Sequence, residues 1–164
     1  MEIERKWLAA RKDIPYALEE LEACTIEQAY ISFSPVIRIR RKNGGEAHVM
    51  TVKTRPEGPA CSALACEEHE FPISASEYES LLEKAAGRVI HKTRYLHPLP
   101  NGLTEEIDVF SGELEGLVFV EIEFPDVETA ESWPDPAWIS RDVSRDDRYK
   151  NSSLAAGETP PMAE

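Results

Sequence analysis

Cysteine is scarce in this chain, and a long hydrophobic run is missing. The 164 residues include three cysteines, Cys24, Cys61 and Cys66, which form neither a disulfide framework nor the ligand spacing of a zinc site. Reduced thiols are therefore expected, although a Cys61–Cys66 bridge stays open. No apolar segment has the length needed to cross a bilayer, and the charged first residues do not resemble a secretory signal. These features together favour a cytoplasmic protein.

Positive charge is also in short supply. The chain has 31 acidic residues against 18 lysines and arginines, which gives a net charge of −13. Nucleic acids and anionic membranes repel such a chain unless its basic residues cluster, so we expect neither as a partner. The length is typical of one domain with enough residues to bury a core. We assign residues 1–157 to that domain and expect residues 158–164 to be a frayed tail.

Strand patterns dominate the rest of the sequence. Alternating polar and apolar residues predict eight strands, over residues 2–10, 26–33, 35–42, 46–54, 65–73, 88–97, 103–111 and 116–124. Asn43-Gly44-Gly45 is typical of a hairpin turn, and residues 55–63 read as an irregular loop. Helices are predicted at 14–23, from the capping box at Ser74 to Gly87, at 126–133 and at 145–156. We therefore expect an α+β protein built on an eight-stranded antiparallel barrel, closed or nearly closed.

Seven of the predicted strands have one ionisable face and one mainly apolar face. The ionisable faces carry Glu2, Glu4 and Lys6; Arg38 and Arg40; Thr51 and Lys53; Glu68 and Glu70; Lys92 and Arg94; Glu106 and Asp108; and Glu121 and Glu123. The interior of an eight-stranded barrel is just wide enough for side chains or one small ligand. If the apolar faces pack against the helices, the charged faces must point into the barrel.

Burying so many charges is costly unless each one finds a partner. One solution is a dense lattice of salt bridges with no ligand. The other is a hydrated tunnel that holds a polyanion together with its metal ion. Arginine and lysine suit phosphate, and carboxylates with phosphate oxygens suit Mg²⁺ or Mn²⁺. The supply of both groups favours the tunnel, and the lattice remains the alternative.

The segment Glu2-Ile3-Glu4-Arg5-Lys6 resembles the signature of the CYTH superfamily, the triphosphate tunnel metalloenzymes. Further segments resemble the family in the same order over about residues 1–155. They are Ile37–Arg40, Thr51–Lys53, Glu68–Glu70, Lys92–Tyr95, Glu106–Phe110, Val120–Phe124 and Asp147–Asn151. A lone Glu-x-Glu-x-Lys would be weak support, whereas eight elements in order are specific.

The resemblance implies roles for individual residues. The phosphate-binding residues would be Lys6, Arg38, Arg40, Lys53, Lys92 and Arg94, with Lys150 added from a C-terminal region that closes one end of the tunnel. The metal-binding residues would be Glu2, Glu4, Glu121 and Glu123, with Glu68, Glu70 and Asp108 as second contributors. Tyr30 and Lys53 match a pair that activates water in some members. The alternatives are a Tyr30 hydroxyl bonded to a carbonyl and a Lys150 on a solvated helix face.

The implied activity is hydrolysis of inorganic triphosphate with Mg²⁺ or Mn²⁺. A class IV adenylate cyclase and an organic triphosphatase acting on thiamine or nucleoside triphosphate are alternatives on the same fold. A non-catalytic binder of polyphosphate or nucleotide is another, but the presence of both glutamate pairs favours catalysis. The expected partner is a small-molecule triphosphate, and a homodimer is left open by the sequence.

Overall fold

Eight antiparallel strands close into a barrel in the computed structural model, which describes residues 1–58 and 62–164. The strands are β1 (Glu2–Ala9), β2 (Glu22–Phe33), β3 (Val36–Lys42), β4 (Ala47–Thr54), β5 (Ala65–Pro72), β6 (Ala86–Pro98), β7 (Thr104–Ser111) and β8 (Val118–Glu123). Their order around the barrel is β5-β4-β3-β2-β6-β7-β8-β1, and β5 then pairs with β1. The predicted fold class is therefore confirmed.

The barrel closes through a narrow joint between β1 and β5. This joint has two residue pairs, Glu2 with Cys66 and Ile3 with Ala65. On its other edge, β1 pairs with β8 from Glu4 to Ala9. A two-residue strand that the sequence did not predict, β9 (Arg141–Asp142), pairs with Trp7 and Leu8, at the end of β1 away from this joint.

Short helices cover parts of the barrel. They are α1 (Ala75–Leu82), α2 (Val127–Ser132) and α3 (Asn151–Ala155). Both hydrogen bonds of the predicted capping box at Ser74 are present at the start of α1. The helix nevertheless ends at Leu82, and Gly87 lies within β6 rather than at the helix end. None of the described helices is long and apolar enough to span a membrane.

The predicted helix at 14–23 is wrong. Two 3-10 turns, Arg11–Asp13 and Leu18–Glu20, lie in this part of the chain, and β2 begins at Glu22. Ile14 and Tyr16 both pack against the outside of the barrel. Residues two apart share a face in extended chain but not in a helix, so this packing keeps the segment extended.

The predicted helix at 145–156 is broken in the middle. A 3-10 turn covers Asp147–Tyr149, Lys150 is extended, and α3 follows. The carbonyl of Tyr149 accepts a hydrogen bond from Lys6 Nζ at 3.2 Å. Because this carbonyl points at β1, it does not serve as the acceptor that a continuous helix would need at this position.

Apolar residues pack on both sides of the barrel wall. Outside, Trp7, Val120 and Ile122 pack under α2, and Ile39 packs with Tyr78 of α1. Inside, one end of the barrel is filled by what we term the apolar end cluster, which includes Leu8, Ile90, Phe110, Phe119, Tyr149 and Leu154. The interior faces of β1, β6, β7 and β8 therefore change from charged to apolar along their length.

Residues 158–164 are packed rather than frayed as expected. Met162 and Ala163 lie against the apolar end cluster. The Tyr149 hydroxyl donates a hydrogen bond to the carbonyl of Pro161 at 2.7 Å, and Arg88 bonds to the carbonyl of Glu158. Burial of apolar surface and these hydrogen bonds hold the segment on the barrel.

We expect Gly87→Ala to destabilise the protein by about 2 kcal/mol, because overpacking adds to backbone strain. Gly87 has a φ of +69°, and a Cβ there would lie 2.0 Å from the carbonyl oxygen of Ala155 in α3. Chemical denaturation measures the loss. Gly102→Ala is the matched control, because Gly102 has a φ of +85° and no atom within 4 Å of its Cβ position. Equal losses in the two variants would contradict the proposed clash.

Candidate active site

The charged faces of the strands meet inside the barrel around two connected cavities. The smaller one, which we call the acidic chamber, has a volume of about 80 Å³. Its walls carry the carboxylates Glu2, Glu4, Glu68, Glu106, Glu121 and Glu123 and the cations Arg38, Arg40, Lys53 and Arg94. With all of these groups ionised, carboxylates outnumber cations, so this chamber attracts positive charge.

The larger cavity, which we call the basic chamber, has a volume of about 230 Å³. Its walls carry the cations Lys6, Arg38, Lys53, Arg55 and Lys150 against the acids Glu2, Glu4 and Asp146. Tyr149 belongs both to this wall and to the apolar end cluster. The excess of cations makes this chamber suitable for an anion. Glu2, Glu4, Arg38, Lys53 and Asn151 border both chambers.

A layer of ion pairs supports the acidic chamber from below. Asp108 bonds to Lys92 Nζ at 2.7 Å and to Arg94 Nε at 2.7 Å, and the side chains of Asp108 and Lys92 are completely buried. Burial alone would raise the pKa of Asp108, but the charges of Arg94 and Lys92 hold that pKa well below its usual range. Arg94 also reaches Glu106 at 2.6 Å and Glu121 at 3.3 Å. This layer is a local salt-bridge network below the chamber, whereas the alternative left by the sequence was a lattice that fills the interior without a ligand.

Lys6 and Lys53 both line the basic chamber, and each is paired with a carboxylate. Lys6 Nζ lies 3.3 Å from Glu121, and the charge of Lys6 helps to lower the pKa of Glu121 to about 2, against the effect of burial. Lys53 Nζ donates to Glu2 at 2.9 Å. Burial would lower the pKa of Lys53, but Glu4 and Glu2 raise it, so Lys53 is a cation at neutral pH.

Two arginines on β3 have unused hydrogen-bond donors. The Nε groups of Arg38 and Arg40 are buried and have no partner among the described residues. Arg40 donates to Gln28 at 3.2 Å, and burial, together with the charges of Arg38 and Arg94, lowers the pKa of Arg40 to about 10. Buried charged donors without partners are costly. An anion with oxygen acceptors would satisfy both arginines.

Several carboxylates carry the opposite imbalance. Burial and the nearby charge of Glu121 raise the pKa of Glu4 to about 7. Burial also raises the pKa of Glu106 to about 7, despite the charge of Arg94. Glu2 and Glu123 have raised pKa values as well, mainly through burial. A cation placed among these groups would relieve their repulsion.

The carboxylates are not arranged to enclose a metal by themselves. Among the described residues, no group of three or more His, Cys, Asp or Glu side chains could hold a metal ion. Mg²⁺ is commonly bound by one or two carboxylates together with phosphate oxygens rather than by an all-protein cage. The donor set therefore fits a divalent ion that shares its coordination with a bound phosphate.

Most of the predicted site residues line the chambers, and a few do not. Lys6, Tyr30, Arg38, Arg40, Lys53, Arg94, Glu2, Glu4, Glu68, Glu121, Glu123 and Lys150 border one or both cavities. Lys92 and Asp108 line neither cavity and bond to each other instead. Glu70 is exposed, and its carboxylate accepts from the Thr51 hydroxyl at 3.2 Å. Glu70 lies near the end of β5. Because the strands of a barrel are tilted relative to its axis, a side chain at a strand end lies away from the centre even when it shares the inward face.

Glu106, Arg55 and Asn151 are among the wall residues that were not assigned a role from the sequence. Glu106 could have been assigned one, because it shares the inward face of β7 with Asp108. Arg55 follows β4, and Asn151 begins α3. The alternation of side chains along a strand does not predict where these two side chains point, because Arg55 lies just after a strand and Asn151 shortly after a 3-10 turn. Lys150 is paired with Asp147 at 2.6 Å at the edge of the basic chamber.

The barrel is closed and antiparallel, and cations and carboxylates face one another across its interior. These features define a class of proteins whose tunnel binds anions together with metal ions. The model of the CYTH domain matches residues 1–148, so the chain belongs to the CYTH family and the predicted resemblance is confirmed.

Two relatives and a solved structure extend this result. An inorganic triphosphatase of Nitrosomonas europaea is 37% identical over 155 residues, which cover 94% of this chain and 96% of the relative. An inorganic triphosphatase of Acetivibrio thermocellus is 38% identical over 128 residues, covering 77% of each chain. The crystal structure of the inorganic triphosphatase NE1496 superposes with a TM-score of 0.66 at 34% identity, covering 95% of each chain.

Proposed function

We propose that this protein hydrolyses inorganic triphosphate to pyrophosphate and phosphate inside the barrel, with the help of a divalent metal ion. The observation that carries the proposal is a pair of buried arginine Nε donors on β3, without a partner in residues 1–58 and 62–164, beside an excess of carboxylates. The two relatives named inorganic triphosphatase support the choice of substrate. We also propose that residues 1–157 form one domain, against which residues 158–164 pack.

The two chambers suggest how the residues divide the work. The excess of cations in the basic chamber neutralises the phosphates of the substrate, and Arg38 and Arg40 supply hydrogen bonds to their oxygens. Lys53 and Arg38 border both chambers, so the reacting phosphate belongs near them. Lys92 and Asp108 do not line the walls, and we assign them the role of positioning Arg94.

Glu2, Glu4, Glu121 and Glu123 are the residues that we propose to hold Mg²⁺ or Mn²⁺, with Glu68 as a further contributor. When bound, the metal neutralises charge on the phosphate oxygens and favours attack by water. Lys53 fits the role of a cation better than that of a base, because its raised pKa keeps it protonated. Tyr30, buried in the wall of the basic chamber, accepts a long hydrogen bond of 3.5 Å from Gln28, not one from Lys53.

The assay that tests this function compares three substrates: triphosphate, ATP and thiamine triphosphate, each with Mg²⁺ or Mn²⁺. We expect fastest phosphate release from triphosphate, with pyrophosphate as the second product. Cyclic AMP as the main product from ATP would make the protein a cyclase instead. Binding of every substrate without turnover would favour the non-catalytic alternative.

Arg40→Ala should lower kcat/KM for triphosphate by roughly 10- to 100-fold, since a hydrogen bond to a charged group contributes about 1.5–3 kcal/mol. Arg41→Ala is the matched control. Arg41 is the next residue on β3, but it faces outwards and pairs with Glu27 and Glu79. Its replacement should leave kcat/KM within about twofold. Similar losses in both variants would mean that Arg40 acts through the fold rather than on the substrate.

A further inference from the structure

Asn151 has a buried side-chain oxygen without a hydrogen-bond partner in the part of the chain that the structure describes. Its Oδ1 is inaccessible to solvent and has no hydrogen-bond partner among the described residues. A buried amide group left without a partner costs about 1–3 kcal/mol, so such groups are uncommon in folded proteins. Asn151 is also one of the few residues that border both chambers.

The position of Asn151 is fixed by the core on either side of it. Tyr149 lies two residues earlier in the apolar end cluster, and Leu154 and Ala155 follow it in the same cluster. The Tyr149 carbonyl also accepts from Lys6, which ties this segment to β1. The side chain is therefore held between the chambers by a well-packed segment and does not belong to a mobile surface turn.

The chemistry of the neighbouring groups limits what this oxygen can bind. An amide oxygen only accepts hydrogen bonds, and an ionised phosphate oxygen also only accepts, so the two cannot satisfy each other. Glu2 and Glu4, which share the junction, are acceptors as well. Arg38 and Lys53 also border the junction, but neither donates to the Asn151 oxygen. A divalent cation, or water bound to it, would satisfy the Asn151 oxygen and would be attracted by the two carboxylates. Amide oxygens are ordinary ligands of hard divalent ions.

We propose that Asn151 supplies an oxygen to the divalent metal ion, either directly or through a water molecule bound to it. The proposal rests on the metal dependence of the proposed function. It also answers the shortage noted above, since no three acidic, histidine or cysteine side chains of the described residues are arranged to hold the ion. Asn151 would add a neutral ligand from the C-terminal segment to the carboxylates of β1 and β8.

Substitution at this position separates a cation ligand from a phosphate ligand by the sign of the effect. Asn151→Asp adds a negative charge, which strengthens contact with a metal and weakens contact with phosphate. Asn151→Ala removes both. Mn²⁺ affinity is measured through the relaxation of water protons, with and without a fixed concentration of pyrophosphate. Pyrophosphate affinity is measured separately without metal.

We expect Asn151→Ala to weaken Mn²⁺ binding about 10-fold, as is usual for residues that support a metal site. Asn151→Asp should bind Mn²⁺ at least as tightly as the unaltered protein. Pyrophosphate affinity without metal should be unchanged in Asn151→Ala. Ser153→Ala is the control for disturbance of α3, because its hydroxyl bonds to the Asp147 carbonyl at 2.7 Å and lies outside both chambers.

Three results would overturn the proposal. They are unchanged Mn²⁺ binding in Asn151→Ala, weaker Mn²⁺ binding in Asn151→Asp, and no Mn²⁺ binding by the unaltered protein. Loss of metal-free pyrophosphate binding in Asn151→Ala would instead assign the amide nitrogen to phosphate. Turnover of triphosphate by the unaltered protein is measured independently. The proposed function can therefore stand while the role of Asn151 fails.

Discussion

Glu4→Gln is expected to abolish phosphate release and, at the same time, to stabilise the metal-free protein above neutral pH. The loss of activity should be roughly 1000-fold, because a metal ligand contributes several kcal/mol to the transition state. The gain in stability has a separate cause. Burial and the charge of Glu121 raise the pKa of Glu4 from 4.5 to about 7, so the ionised side chain destabilises the folded state.

The sign of the pH dependence follows from proton binding. Between pH 4.5 and about 7 the folded protein holds a proton on Glu4 that the unfolded chain has lost. The free energy of unfolding therefore falls as pH rises through this range, and Glu4 costs on the order of 2 kcal/mol above it. Glutamine carries no charge and removes this cost. At pH 4.5 and below, the two proteins should have similar stability.

Denaturation with a metal chelator present, at pH 4.5 and at pH 8, measures both effects when combined with the assay of phosphate release. Glu115→Gln is the control, because Glu115 is exposed and lies outside both chambers. That variant should be fully active and should show no pH-dependent gain. Normal turnover by Glu4→Gln would exclude Glu4 as a metal ligand. A lower stability at pH 8 would show that its carboxylate is well compensated in the folded state.

Asp108→Ala should have the largest effect on stability, a loss of about 3–5 kcal/mol in the free energy of unfolding. Asp108 and Lys92 have no exposed side-chain surface, and Arg94 bonds to the same carboxylate. Removing Asp108 leaves two buried cations without their main partner. Activity should fall as well, because Arg94 would lose the contacts that orient it towards the acidic chamber. Urea denaturation and turnover measure the two losses.

A double variant distinguishes loss of charge balance from loss of packing. Adding Lys92→Met to Asp108→Ala removes one of the stranded cations, so it should recover part of the stability. Glu131→Ala provides a baseline, since its pair with Arg145 is more than half exposed and should contribute less than about 1 kcal/mol. No recovery in the double variant would mean that Asp108 acts mainly through packing.

The barrel and its inward charge could be predicted because a strand has a period of two. Geometry alone places Arg38 and Arg40 on one face of β3 and Ile37 and Ile39 on the other, and packing of the apolar face against a helix turns the arginines inwards. The same rule could not tell how deep each side chain lies. Asp108 is buried in an ion pair and Glu70 is exposed, although both share a face with chamber residues, because depth depends on the tilt of each strand.

The segments outside the strands were harder to predict. The chain around Pro15 and the segment 145–156 both have helix-like composition, yet contacts with the barrel decide their conformation. Ile14 and Tyr16 pack against the barrel in an extended segment, and Lys6 donates a hydrogen bond to the carbonyl of Tyr149. Asn151 could not be placed for the same reason. Its orientation depends on residues far apart in sequence, and periodicity carries no information about such contacts.

The short joint between β1 and β5 suggests that a bound ligand would stiffen the barrel. Two residue pairs close it, and one of them includes Glu2, whose carboxylate reaches Lys53 on β4 across the intervening strand. A ligand that contacts groups on both β1 and β4 would link the two sides of this short strand pairing while it is bound. The β1–β5 pairing would become more rigid when a substrate binds and more mobile when the product leaves. Its mobility would therefore change within each catalytic cycle.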